Sequence, residues 1–115
     1  MVEITYRGLI PAEQLRRVLE EFVALQSAAG VLRVLLDSRE HEVASSRGEI
    51  VNFPQAYEAL GLDRRTRIAV IPPASPDGRK AATFYETACR NRGWNVRVHP
   101  DRDSAIAWLC STGGD

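Results

Sequence analysis

Ile68-Ala69-Val70-Ile71, followed at once by Pro72-Pro73, constrains this chain more than any other stretch. Four apolar residues without a polar break read as a strand covered on both faces, the kind found inside a sheet that carries helices. Proline cannot donate to a sheet ladder, so the pair marks where the strand leaves the sheet. A second run, Val31 to Leu36, has the same character. Two such strands at the centre of a sheet are the frame on which the other segments are placed.

Val2, Ile4 and Tyr6 alternate with Glu3, Thr5 and Arg7, the pattern of a half-buried edge strand, and Gly8 is expected to break it. Pro11 suits the first position of a helix, with Glu13 in the favourable first turn. Leu15, Val18, Leu19, Phe22 and Leu25 follow helical spacing and form one apolar face, and Gly30 ends the helix. After the strand from Val31 to Asp37, the polar stretch Ser38 to Gly48 reads as the longest irregular segment. Glu49 to Phe53 and Pro54 to Leu60 read as a short helix broken or restarted at Pro54. Ser75-Pro76 is a cap followed by proline at the first helical position. That helix runs to about Arg92, with Ala81, Phe84, Tyr85, Ala88 and Cys89 inward. Asn95 to His99 alternates as a strand, and Asp101 caps a last helix with Ala105, Ile106, Trp108 and Leu109 apolar. Residues 1–110 form one domain, and Ser111 to Asp115 should fray.

Alternating strands and helices favour a largely parallel sheet with right-handed crossovers. The first and fourth strands alternate like edges, while the second and third look central. The fold class expected is therefore α/β, a (βα)4 single superhelix with a mainly parallel four-stranded sheet in the order 1-2-3-4. Ile4, Leu32, Val34, Leu36, Ile68, Val70, Val96 and Val98 share one set of positions, assigned to the face under the helices. Arg33, Arg67 and Arg97 share the other, with Glu3, Thr5, Val31, Leu35, Ala69 and Ile71. A buried, unpaired guanidinium is too costly for an ordinary core. This second face should be partly open, or should meet a partner that supplies carboxylates.

Fifteen basic and fifteen acidic residues give a formal net charge of zero, which argues against general nucleic-acid or anionic-membrane binding. No apolar run approaches the roughly 20 residues of a membrane span. The N-terminus lacks the layout of a signal peptide, so the cytoplasm is the expected location. Cys89 and Cys110 form no CxxC and fall in helical patterns, as two reduced, packed thiols would.

Phe84-Tyr85-Glu86-Thr87, Asn91-Arg92-Gly93-Trp94, and the segment from Val96-Arg97-Val98-His99 through Ala105-Ile106-Ala107-Trp108-Leu109 carry a family likeness. They resemble the small bacterial SpoIIAA-like proteins of the STAS superfamily, related in fold to the lipid-binding Sec14 domains. The resemblance covers Leu32 to Leu109 in outline and is most specific from Arg67 onward. It implies a single (βα) superhelix and a non-enzymatic regulatory or protein-interaction module. In phospho-regulated members a serine starts the helix after a central strand, in an Asp-Ser-Ser-Gly-like turn. The matching Ala44-Ser45-Ser46-Arg47-Gly48 keeps two serines and a glycine, with Ala44 in place of the acid and Arg47 inserted.

Ser45 and Ser46 are thus candidate phosphosites, where phosphate would gain from the helix dipole and from Arg47 or Arg39. Equally, serine is a common helix N-cap. Loops after parallel strands gather at one end of a sheet, where open α/β folds place ligands. Asp37, Arg39, His41, Arg47, Pro72, Ser75, Asp77 and His99 are the candidate ligand or partner surface there, with Asp101 near His99. A histidine with an aspartate suits acid–base chemistry. No nucleophile elbow, HExxH, phosphate loop or metal-ligand spacing accompanies it, so neither an enzyme nor a cofactor is expected. Tyr57, Phe84, Tyr85, Trp94 and Trp108 either pack the core or line an apolar cavity. The expected function is a regulatory STAS-like module contacting a protein or small ligand through Asp37 to Gly48. The alternative is a carrier of a small apolar or anionic ligand near the strand ends. A homodimer through an edge strand or the arginine-bearing face is a further expectation.

Overall fold

The computed structural model describes residues 1–43 and 46–111. Its elements are β1 (Val2–Ile10), α1 (Ala12–Ala29), β2 (Arg33–Val43), α2 (Arg47–Leu60), β3 (Arg67–Ile71), α3 (Pro76–Asn91), β4 (Asn95–Val98) and α4 (Arg102–Leu109). The four strands are parallel and lie in the order β1-β2-β3-β4. Val34 pairs with Ile68, and Ile68 with Val96, so the residues expected on one face do share it.

That face carries the larger core. Val34, Ile68, Val70 and Val96 pack with Phe22 of α1, Tyr57 of α2, Cys89 of α3, and Leu62 and Trp94 from the loops. Trp94 meets Tyr57 edge-on at 5.7 Å between ring centroids, and the Arg64 guanidinium sits 3.9 Å over the indole. The apolar stripe of α1 ends differently from the expectation. Leu25 is exposed, and Gln26 takes the last inward position. Gln26 Nε2 donates to Thr66 Oγ1 at 2.8 Å and to the Val31 carbonyl at 2.9 Å, while its Oε1 accepts from the Asp63 N–H at 2.9 Å. A side chain with both donor and acceptor satisfies the backbone entering β2 and β3, which leucine cannot do.

The second face is covered too. Leu35, Ala69 and Ile71 are buried against Ala105, Trp108 and Leu109. So α4 crosses to the side opposite α1, α2 and α3, and not all the helices share one face as expected. Two of the arginines on this face, Arg67 and Arg97, meet carbonyls and an indole. Arg67 Nη1 donates to the Trp108 carbonyl at 3.1 Å and to the Ser111 carbonyl at 2.7 Å, closing the C-terminal end of α4. A cation there also suits the helix dipole. Arg97 lies 5.5 Å over the Trp108 ring, and Arg33 is exposed. The other end of α4 is tied down by Arg102 to Glu3 of β1. Ser111, expected to fray, is held by Arg67, and residues 112–115 lie outside those described. Cys89 is packed, but Cys110 is exposed at the end of α4, so only one thiol is buried as expected.

Three local expectations are overturned. Gly8 does not end the first strand: at φ 70 it lies inside β1, which runs on to Ile10. The polar stretch after Asp37 is not irregular as far as Val43, because β2 continues beside β1 through the pairs Arg7–Glu40, Gly8–His41 and Leu9–Glu42. Backbone pairing rather than apolar alternation sustains this ribbon. Nor does Pro54 break the helix, since α2 is continuous with Pro54 inside it. The missing hydrogen bond is tolerated because Pro54 is buried, with Ile50, Ala56 and Tyr57 holding both halves against the core.

The strand end at Pro72-Pro73 is closed by α3. Ser75 Oγ accepts from the Gly78 N–H at 3.0 Å, and a Cβ on Gly78 would lie 2.5 Å from Pro73 Cβ. Gly78→Ala should therefore lower stability by about 1–3 kcal/mol in urea unfolding, against alanine's better helix propensity. An unchanged or raised midpoint would show that α3 and Pro73 do not approach this closely.

Candidate functional site

The helix face of the sheet is not filled. A cavity of about 140 Å³ lies between β1, β2, β3 and the helices α1, α2 and α3. Its wall includes Leu15, Val18, Leu19 and Phe22, the apolar stripe of α1 at helical spacing. Leu36, Phe53, Val70, Ala81 and Tyr85 face them. Several of these, such as Leu15, Leu19, Leu36 and Phe53, are only half-buried although they point inward. Packed interiors leave few voids larger than a water molecule.

Among the described residues the wall contains no charged side chain, and its polar groups are Tyr6, Ser38, His41, Tyr57 and Tyr85. Two of these satisfy each other, with the Tyr57 and Tyr85 hydroxyls 2.5 Å apart. Burial pushes the Tyr6 hydroxyl up to about 12 and the Tyr57 and Tyr85 hydroxyls well above their ordinary value, so all three stay neutral. Cys89, behind Tyr85, is likewise pushed up to about 12 by burial, which removes it as a nucleophile.

His41 reaches the cavity through a β-bulge. Between the pairs Thr5–Asp37 and Arg7–Glu40, β2 takes three steps where β1 takes two. Val34, Leu36 and Ser38 alternate onto the cavity side, so regular pairing would bring Glu40 there next. The extra residue turns Glu40 away, to pair with Arg7 at 3.0 Å, and brings His41 in. The imidazole lies 5.3 Å from the Tyr6 ring. Its Nε2 is buried and has no partner among the described residues, and burial lowers the His41 pKa.

The other expected site residues divide between separate places. Asp37 and Arg39 form a forked pair, at 3.0 and 2.7 Å, which holds the Asp37 carboxyl below its usual range. Arg47 lies 5.5 Å over the Phe84 ring. Pro72 is half-buried while Pro73 lines the cavity, Ser75 caps α3, and Asp77 is exposed in its first turn. His99 is on the opposite face, 5.4 Å from Trp108. The nearby Asp101 carboxylate accepts from the Ser104 N–H at 2.8 Å as the cap of α4. Ser46 caps α2 in a reciprocal box with Glu49, accepting from its N–H at 3.2 Å. Ser45 lies outside the described residues. Of the five aromatics named above, Tyr57 and Tyr85 line the cavity, whereas Trp94 and Trp108 belong to the two cores. Tyr6, Ser38 and Phe53 were not anticipated there.

Both histidines have depressed pKa values, through burial and, for His99, the nearby Arg97. Below pH 6.5 the unfolded chain therefore takes up protons before the folded one. Stability should be flat from pH 8 to 7 and fall as the pH drops through the folded values. The decline that begins just below pH 6.5 should disappear in the double variant His41→Phe/His99→Phe. A wild-type decline that persists in the double variant would assign it to other groups.

No helix among the described residues is long and apolar enough to cross a membrane. Comparison of the chain with protein-family models, with curated proteins and with solved structures returns no match.

Proposed function

We propose that this protein is a small-molecule binding module that holds an apolar ligand between its sheet and the helices α1, α2 and α3. The observation that carries this is the cavity of about 140 Å³, walled by half-buried apolar side chains. An apolar cavity of about 150 Å³ stays dry and accepts benzene, so a ring of that size fits. The wall favours binding over catalysis, since among the described residues it brings one imidazole and no carboxylate, amine or thiol. The SpoIIAA-like resemblance adds a regulatory role for the bound state, with the ligand as a signal rather than a substrate.

Titration of the ¹⁵N-labelled protein with toluene tests this. Saturable shifts should cluster on Leu36, Val70, Ala81 and Tyr85. Shifts that grow linearly without saturation, or that centre on exposed Leu9 and Leu25, would count against a ligand site in the cavity.

A further inference from the structure

Among the polar residues of the wall, His41 is the one that the fold departs from regular pairing to place there. The bulge in β2 exchanges Glu40 for His41 at the cavity. Bulges that re-aim a side chain are common beside functional sites. Nε2 of His41 is then buried with no hydrogen-bond partner among the described residues, a state that native structures rarely leave unexplained. The neighbouring hydroxyls of Tyr57 and Tyr85 are taken up with each other. Among the described residues no Lys, Arg, Asp or Glu lines the cavity, so an ionised ligand would be buried there without a counter-charge from them.

We infer that the ligand is a neutral one- or two-ring molecule carrying a hydroxyl, and that this hydroxyl hydrogen-bonds Nε2 of His41. This deepens the cavity proposal and rests on it. A hydroxyl suits either imidazole tautomer, because it both donates and accepts. Tyr6, stacked at a tilt of 43° on His41, flanks the polar end, and the stripe of α1 covers the rings.

The test compares phenol, toluene and benzoate by calorimetry at pH 7.5, on the wild type, His41→Phe and His41→Gln. In His41→Phe, phenol affinity should fall about tenfold, the worth of one net hydrogen bond, while toluene changes less than about twofold. His41→Gln, which keeps a hydrogen-bonding group, should retain most of the phenol affinity. Benzoate should bind the wild type more weakly than phenol. A second readout needs no variant: phenol should move the Nε2 resonance of His41, and toluene should leave it nearly in place. If phenol and toluene respond alike to His41→Phe, or phenol leaves the Nε2 resonance unmoved, the hydroxyl assignment is wrong while the cavity site stands. If wild-type protein binds neither phenol nor toluene, both fail together.

Discussion

Leu35→Ala should destabilise the fold by about 2–5 kcal/mol, with the urea midpoint shifted and the slope unchanged. Leu35 is 0% exposed, on the sheet face beneath α4. Its side chain packs with Ala69, Ile71, Trp108 and Leu109, and truncation removes both its burial and the contacts around it. The control is Leu9→Ala on β1, where the side chain is 66% exposed and the change should stay within about 0.5 kcal/mol. Similar small effects at both sites would mean that α4 does not close this face.

Ala81→Phe should abolish toluene and phenol binding, weakening each at least about 100-fold, without lowering the unfolding midpoint. Ala81 lies half-buried on α3 and lines the cavity. A phenyl ring there takes the volume a ligand ring would occupy. Filling an empty apolar space adds contacts, whereas the same change in a packed core strains it. Retained binding in Ala81→Phe would place the ligand elsewhere, and a large fall in stability would show that the space is not there to fill.

The sheet order was legible because burial differs between strands. Ile68 to Ile71 is apolar on both sides, and Val2, Ile4 and Tyr6 alternate, so centre and edge could be told apart before any pairing was known. The position of α4 was not legible. Arg67 looked like a solvent-facing or partner-facing residue because a guanidinium's acceptors can be backbone carbonyls, here those of Trp108 and Ser111, which no side-chain pattern records. The extension of β2 was hidden for a related reason. Ser38 to Val43 pairs through its backbone with β1, and its polar side chains resemble a loop.

The candidate site was legible in part. His41 was among the residues expected near the strand ends, but its cavity-facing side depends on one extra residue in a bulge. That insertion shifts the alternation of β2 without a glycine or proline in that strand to mark it. His99 and Asp101, which looked like a possible pair, are separated in role by the cap that Asp101 makes for α4. The cavity itself is a failure of helices and sheet to meet, and the stripe of α1 looks the same whether it touches a core or an empty space.

Intermolecular NOEs between toluene and the protein test the cavity site most directly. The bound ligand should show cross-peaks to the methyl groups of Val18, Leu19, Leu36 and Val70, drawn from α1, β2 and β3 together. Cross-peaks confined to exposed groups such as Leu9 and Leu25, with none to Leu36 or Val70, would contradict it.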